Sequence, residues 1–143
     1  EDKNYRAGEA EPTFGLEGFR VTPRICFDLR FPHEFWDAAE STDVYVVIAS
    51  WPAKRADHWM TLLKARAVEN QAYVVGVDRT GRDPFLEYSG NSMVFDPLGR
   101  VVLDAGEGEG VHVATVAVEK QKVDTTRQRF PFFADRRPRG GRP

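Results

Sequence analysis

Cysteine is almost missing from this chain: Cys26 is the only one among 143 residues. A lone cysteine excludes an internal disulfide and fits a reducing, cytoplasmic setting. Long apolar runs are missing as well. The longest, VYVVIA at residues 44–49, falls far short of the ~20 residues that a membrane-spanning helix needs, so no membrane partner is expected. Neither sign of charge dominates. Twenty Lys and Arg against 22 Asp and Glu leave a formal net charge of −2, and nothing in that balance calls for nucleic acid as a partner. Three scattered histidines and one cysteine make no metal-ligand spacing, so neither metal nor cofactor is expected. The polar opening EDKNYRAGEAEP carries no secretory signal. It has no initiator Met, and the reading is that it begins partway along a longer polypeptide.

What is present suffices for a core: 41% of residues are hydrophobic, too many for a disordered chain. The pattern divides into one domain over residues 1–135 and a disordered basic tail, RRPRGGRP, over 136–143. Residues 1–18 read as loop. Residues 19–27 read as a strand, with Pro23 marking an edge or bulge. A helix is predicted over 32–41, with Pro32 at its first position. Residues 43–50 and 73–80 are continuous, β-branched runs of the kind buried on both faces of a sheet. Between them, apolar residues at 59, 62, 63, 67 and 68 give helical spacing over 55–72, with Asp57 as N-cap. Residues 81–90 read as loop. Asp96-Pro-Leu-Gly99 reads as the turn of a hairpin within 90–105. The alternation in GVHVATVAV predicts a strand over 110–118, and a short helix is expected over 119–130. The order gives an α/β fold with a mixed sheet and flanking helices. Its few helices leave part of the sheet to be covered by other polypeptide.

The lone thiol lies in TPRICFDLRFP, residues 22–32, where an apolar strand gives way to a charged turn. Free cysteine is among the residues most often buried, and these residues taken alone favour an inert, packed thiol over a reactive one. Asp28 would disfavour a thiolate and Arg30 favour it. The two are expected to cancel if they pair and to brace the turn, with Glu34 solvated. In an open α/β sheet, ligands gather at the carboxyl ends of the strands, which brings ASWPAKRADHW (residues 49–59) near Cys26 if the two strands are parallel neighbours. Trp51 is then a candidate pocket wall. His58 is read as structural. Arg66 and Glu69 are read as a helix-surface or interface pair, and Tyr88 as core packing.

Four blocks in order, RICFDLRFP, ASWPAKRADHW, KARAVENQAYVVGVDRTG and YSGNSMVFDPLGRVV, resemble the nitrilase (carbon–nitrogen hydrolase) superfamily in its omega-amidase-like branch. The resemblance implies the C-terminal half of an α-β-β-α sandwich and hydrolysis of a small linear amide through a thioester. It makes Cys26 the nucleophile and puts Glu1 in the register of the family's second glutamate. The family's base glutamate and lysine have no counterpart here. The backbone N–H of Phe27 becomes an oxyanion donor, and Lys54 or Arg55 becomes the partner of a substrate carboxylate. A homo-oligomer, or a complementing N-terminal half, is the expected partner. The alternative is a catalytically inactive truncated homologue or interaction module that keeps the family's sheet and dimer surface.

Overall fold

Three runs of β-branched residues set the architecture. In the computed structural model, which describes Gly8 and residues 12–136, Phe19–Ile25 forms β2, Val44–Ala49 forms β3 and Tyr73–Asp78 forms β4. They lie side by side and parallel, with Ile25 level with Ile48 and Ala49 level with Asp78. Three antiparallel strands complete the sheet: β1 (Phe14–Leu16) outside β2, and β7 (Met93–Phe95) then β8 (Val101–Asp104) beyond β4. The α/β fold with a mixed sheet and flanking helices agrees with the sequence reading.

One face of this sheet is sealed. Helix α2 (Ala56–Asn70) lays Trp59, Leu63 and Ala67, each four residues from the next, onto it. These join Tyr45, Val47, Val74 and Phe95 of the strands, together with Leu29 and with Phe35 of the short helix α1 (Pro32–Trp36), in the main core. The helix stops at Gln71, which takes the left-handed conformation at φ 46°. The Gln71 N–H donates to Val68 O and the Ala72 N–H to Ala67 O, the Schellman pattern that glycine more often closes.

The opposite face is covered at one end only. Helix α3 (Lys120–Arg129) places Val123 over Val21, Val44 and Tyr73 at the beginnings of the parallel strands. Buried Asp43 holds this helix down. Arg20 grips both Asp43 carboxylate oxygens, and Lys120 and Arg127 stand 3.5 and 3.6 Å away. Burial pushes the Asp43 carboxyl up, but the hydrogen bonds and charge of Arg20 more than reverse this and hold it below the usual carboxylate range. Arg127 also donates to Ala39 O, Thr42 O and Asn70 O. Toward the carboxyl ends of the strands the same face is open: Ile25, Ile48 and Val77 form a registered apolar row with 64, 52 and 47% exposure.

Several local expectations are corrected. Residues 14–16, read as loop, pair with β2 through a two-residue turn at Glu17 and Gly18, both at positive φ. That geometry is the hairpin-favouring one, signalled here by Glu-Gly rather than the stronger Asn-Gly. Because β1 ends opposite Val21, Pro23 lies past its ladder, where the missing N–H costs nothing. The span 81–90 is not all loop, since β5 (Thr80–Arg82) and β6 (Glu87–Ser89) form a separate two-stranded sheet. Residues 110–118 form no strand, because no described strand lies alongside to pair with them. The predicted helix over 32–41 breaks after Trp36, and Ala39–Ser41 form a separate 3-10 turn. Asp57 is not an N-cap: a 3-10 turn at Ala53–Arg55 feeds directly into α2 and leaves Asp57 in its first turn. Arg136, assigned to the tail, stacks over Trp36 and donates to its carbonyl.

Candidate active site

Cys26 is the residue at which β2 stops. It opens a 3-10 turn, Cys26–Arg30, with its backbone at φ 42°. A non-glycine residue held there costs on the order of 1–3 kcal/mol and persists only when its surroundings over-determine it. Those surroundings are specific. The Asp28 carboxylate accepts the Ile25 N–H at 2.8 Å, and Asp28 O accepts the Phe31 N–H at 2.9 Å. Leu29 is buried in the main core. The Arg30 guanidinium lies 4.7 Å above the Trp51 ring. Asp28 and Arg30 do not pair with each other. One takes a backbone amide and the other an aromatic face, so their charges do not cancel in an ion pair. Cys26 is half-buried and packs against the main core, and its thiol makes no hydrogen bond among the described residues.

The parallel register brings the ends of three strands to one rim: Cys26 after Ile25, Trp51 shortly after Ala49, and Asp78 opposite Ala49. Trp51 is a core residue here. Its ring packs 5.5 Å from Trp59, and its indole N–H donates to Arg55 O at 2.8 Å. Lys54 and Arg55 project into solvent and make no ion pair among the described residues. Phe27 is largely exposed, edge-on to Phe31 at 5.3 Å. Glu34 pairs with His33 at 3.1 Å. His58 is exposed and makes no hydrogen bond among the described residues. Tyr88 sits under Arg79 and donates to Asp83. Glu1 lies outside the described residues. Among the described residues, no three His, Cys, Asp or Glu side chains gather to hold a metal, and no helix is long and apolar enough to cross a membrane.

Asp78 escaped the sequence reading. Its Oδ1 accepts the Trp51 N–H at 2.7 Å and the Arg79 N–H at 3.0 Å, so it ties β4 to the loop beneath Cys26. Only its place at the end of an apolar strand could have flagged it. Burial pushes its carboxyl up to about 6, against the two amides and the Arg79 charge that favour ionisation. Because the folded value lies above the ordinary one of 3.8, the ionised group weighs against the fold, and this cost grows as pH rises through about 6. Asparagine keeps an acceptor oxygen and carries no charge. Asp78→Asn is therefore expected to be more stable than the parent by about 2 kcal/mol at neutral pH, an advantage that fades as pH falls toward 4. Denaturant unfolding of the two proteins across that pH range is the check.

A separate groove of about 290 Å³ lies along α3, lined by Leu98, Glu119, Lys122, Thr125, Arg129 and Phe130. It sits at the opposite end of the sheet from Cys26. Its Lys122 is already committed to Asp96 at 2.6 Å, and no cysteine lines it.

The chain is 39% identical over 137 residues to an omega-amidase, YafV, of Yersinia enterocolitica, covering 94% of this chain and 52% of that protein. It is 37% identical over 132 residues to a 2-oxoglutaramate amidase of Bacillus subtilis, covering 90% and 49%. The chain thus spans about half the length of these curated relatives. Among solved structures, a CN-hydrolase superfamily protein of Xanthomonas campestris with an arsenic adduct in its active site superposes with a TM-score of 0.84 at 34% identity, covering 96% of this chain and 54% of that one. The carbon-nitrogen hydrolase family model matches residues 1–128, and with that match the chain belongs to the carbon-nitrogen hydrolase family.

Proposed function

We propose that the chain carries the nucleophile of an omega-amidase-like enzyme and that Cys26 is that nucleophile. The observation that carries this reading is the left-handed backbone of Cys26 at the carboxyl end of β2. The bend lifts a half-exposed thiol off a sheet rim, and a purely packing thiol needs no such strain. The likeness to an omega-amidase and a 2-oxoglutaramate amidase supports a small linear amide as substrate, with a carboxylate at its far end. Lys54 and Arg55, exposed on the same rim, are the proposed partners of that carboxylate.

In the proposed reaction, Sγ gives its proton to a base and attacks the amide carbonyl carbon. The oxyanion takes hydrogen bonds from backbone donors, the Phe27 N–H among them. The tetrahedral adduct then expels ammonia, which leaves with a proton, and a thioester remains on Cys26. Water adds to the thioester, the carboxylic acid departs and the thiol is regenerated. A free cysteine, at a pKa of about 8.5, is mostly protonated at neutral pH. The base glutamate and the cationic lysine are therefore assigned to polypeptide beyond these 143 residues, with Glu1 as the second glutamate. The open row Ile25–Ile48–Val77 supports this assignment, since it offers an apolar face for a second layer of sheet or another copy to cover. A reducing, cytoplasmic setting suits a free nucleophilic thiol.

The test is a covalent trap. The chain, alone and together with the polypeptide encoded directly before Glu1, is incubated with an ω-amide of a dicarboxylic acid, acid-quenched and digested. The Cys26 peptide is expected to gain the mass of the acyl group. Ammonia release without that adduct, and unaffected by blocking the thiol, would overturn the nucleophile assignment. No adduct and no ammonia in either arrangement would instead favour a non-catalytic homologue that keeps the sheet as an interaction surface.

A further inference from the structure

Arg66, read with Glu69 as a helix-surface or interface pair, is buried against its own chain with 4% exposure. Its Nη2 donates to Leu29 O at 2.7 Å, across 37 residues of chain, and its Nη1 to Glu69 at 2.7 Å. The guanidinium lies 5.3 Å from the Phe35 ring, and its Nε has no hydrogen-bond partner among the described residues. As a device for stability this is a poor bargain. A buried cation with an unsatisfied donor gains little over a long apolar side chain of similar size. What it does provide is local. Leu29 is completely buried, so its carbonyl would be orphaned without this donor. Leu29 lies three residues after Cys26, in the same turn that Cys26 opens with left-handed backbone. A second buried arginine, Arg24, stands 5.6 Å from the same Phe35 ring and donates to Glu34 O. Two guanidiniums thus stake segment 29–34 at both ends, and Arg66 holds the end nearer the thiol.

We propose that Arg66 is a positioning residue for Cys26: through Leu29 O it fixes the turn that presents the thiol at the rim. The inference rests on the nucleophile reading for its catalytic meaning, but its geometry is testable without turnover. Cys26 is the only cysteine, so alkylation by iodoacetamide reports this one position. With the anchor lost, the turn is free to open and the thiol to leave its half-buried seat. Arg66→Met is expected to raise the native-state alkylation rate roughly fivefold or more. Arg66→Lys keeps one donor but not the fork, and its rate is expected to fall between those of the parent and the Met variant. It carries the test if the Met variant does not fold. Val123→Ala, at the other end of the sheet, serves as a destabilised control whose Cys26 rate stays at the parental value. If the Arg66 variants and the Val123 control, compared at similar losses of thermal stability, alkylate Cys26 at the same rate, Arg66 is a structural residue only and the proposal fails. If the rate follows Arg66 while no acyl adduct ever forms on Cys26, the positioning role stands and the nucleophile assignment falls.

Discussion

On the proposed reaction, and with the chain combined with the polypeptide encoded before Glu1, replacing Cys26 with alanine is expected to lower ammonia release from ω-amides by roughly a thousandfold or more while the protein stays folded. The first half follows from the proposed covalent step: alanine offers no atom that can hold the acyl group. The second half follows from the backbone. Cysteine and alanine both carry a Cβ, so at φ 42° they bear the same steric penalty. Only the packing of one sulfur against the core changes, which is worth about 1 kcal/mol or less. Glycine at this position has no such penalty and is expected to raise stability by about 0.5–1 kcal/mol. The combined signature is therefore distinctive: in thermal unfolding Cys26→Gly exceeds both the parent and Cys26→Ala, and neither variant releases ammonia. Activity retained by the alanine variant would remove the sulfur from the chemistry. Equal stability of the glycine and alanine variants would show that the bend is not strained.

The largest stability effect is expected at Gly76. This residue lies in the middle of β4, on the face that α2 covers. A Cβ built on it would stand 2.4 Å from Leu63 Cδ1 and 2.9 Å from Trp59 Cζ2. Both neighbours are completely buried, and Trp59 is further tethered by its indole N–H to Asn91 O at 2.8 Å. Neither can step aside without opening a gap elsewhere, because interiors are packed to crystal density. Gly76→Val is thus expected to cost about 4 kcal/mol or more, above the usual range for overpacking. The carbons it adds equal in number those that Leu63→Ala removes. The double variant is expected to recover at least about 1.5 kcal/mol relative to the sum of the single changes. Urea unfolding of the four proteins measures that coupling, and strict additivity would mean that α2 rides up as a body instead of clashing at this point.

Elements that declare themselves locally were legible in the sequence. The unbroken runs at 44–49 and 73–78 became parallel neighbours, Asp96 and Gly99 did turn a hairpin, and Cys26 does stand where a strand ends. Long-range chemistry was not legible. Asp78 reaches Trp51 across 27 residues and Arg66 reaches Leu29 across 37. Asp78 is marked only by its place at the end of an apolar strand, and Arg66, as a charge on a helix, reads as surface until its partner is known. The alternation at 110–118 misled for a related reason. A period of two describes a segment able to form a strand, whereas a strand exists only where a neighbour supplies the ladder.

The three parallel strands end in step, and this settles where the molecule can change. A deletion or insertion inside β2, β3 or β4 would turn that strand's following side chains to the wrong side and carry its own rim residue (Cys26, Trp51 or Asp78) out of line with the other two. The links between elements are less constrained, apart from Arg55 O, which holds the Trp51 indole. Ala53–Arg55 and the bend from Asp83 to Leu86 lie on the outside, with Lys54, Arg55 and Phe85 in water. If Lys54 and Arg55 meet the substrate as proposed, substitutions at their exposed side chains are expected to change which amide is preferred while the sulfur stays where β2 puts it.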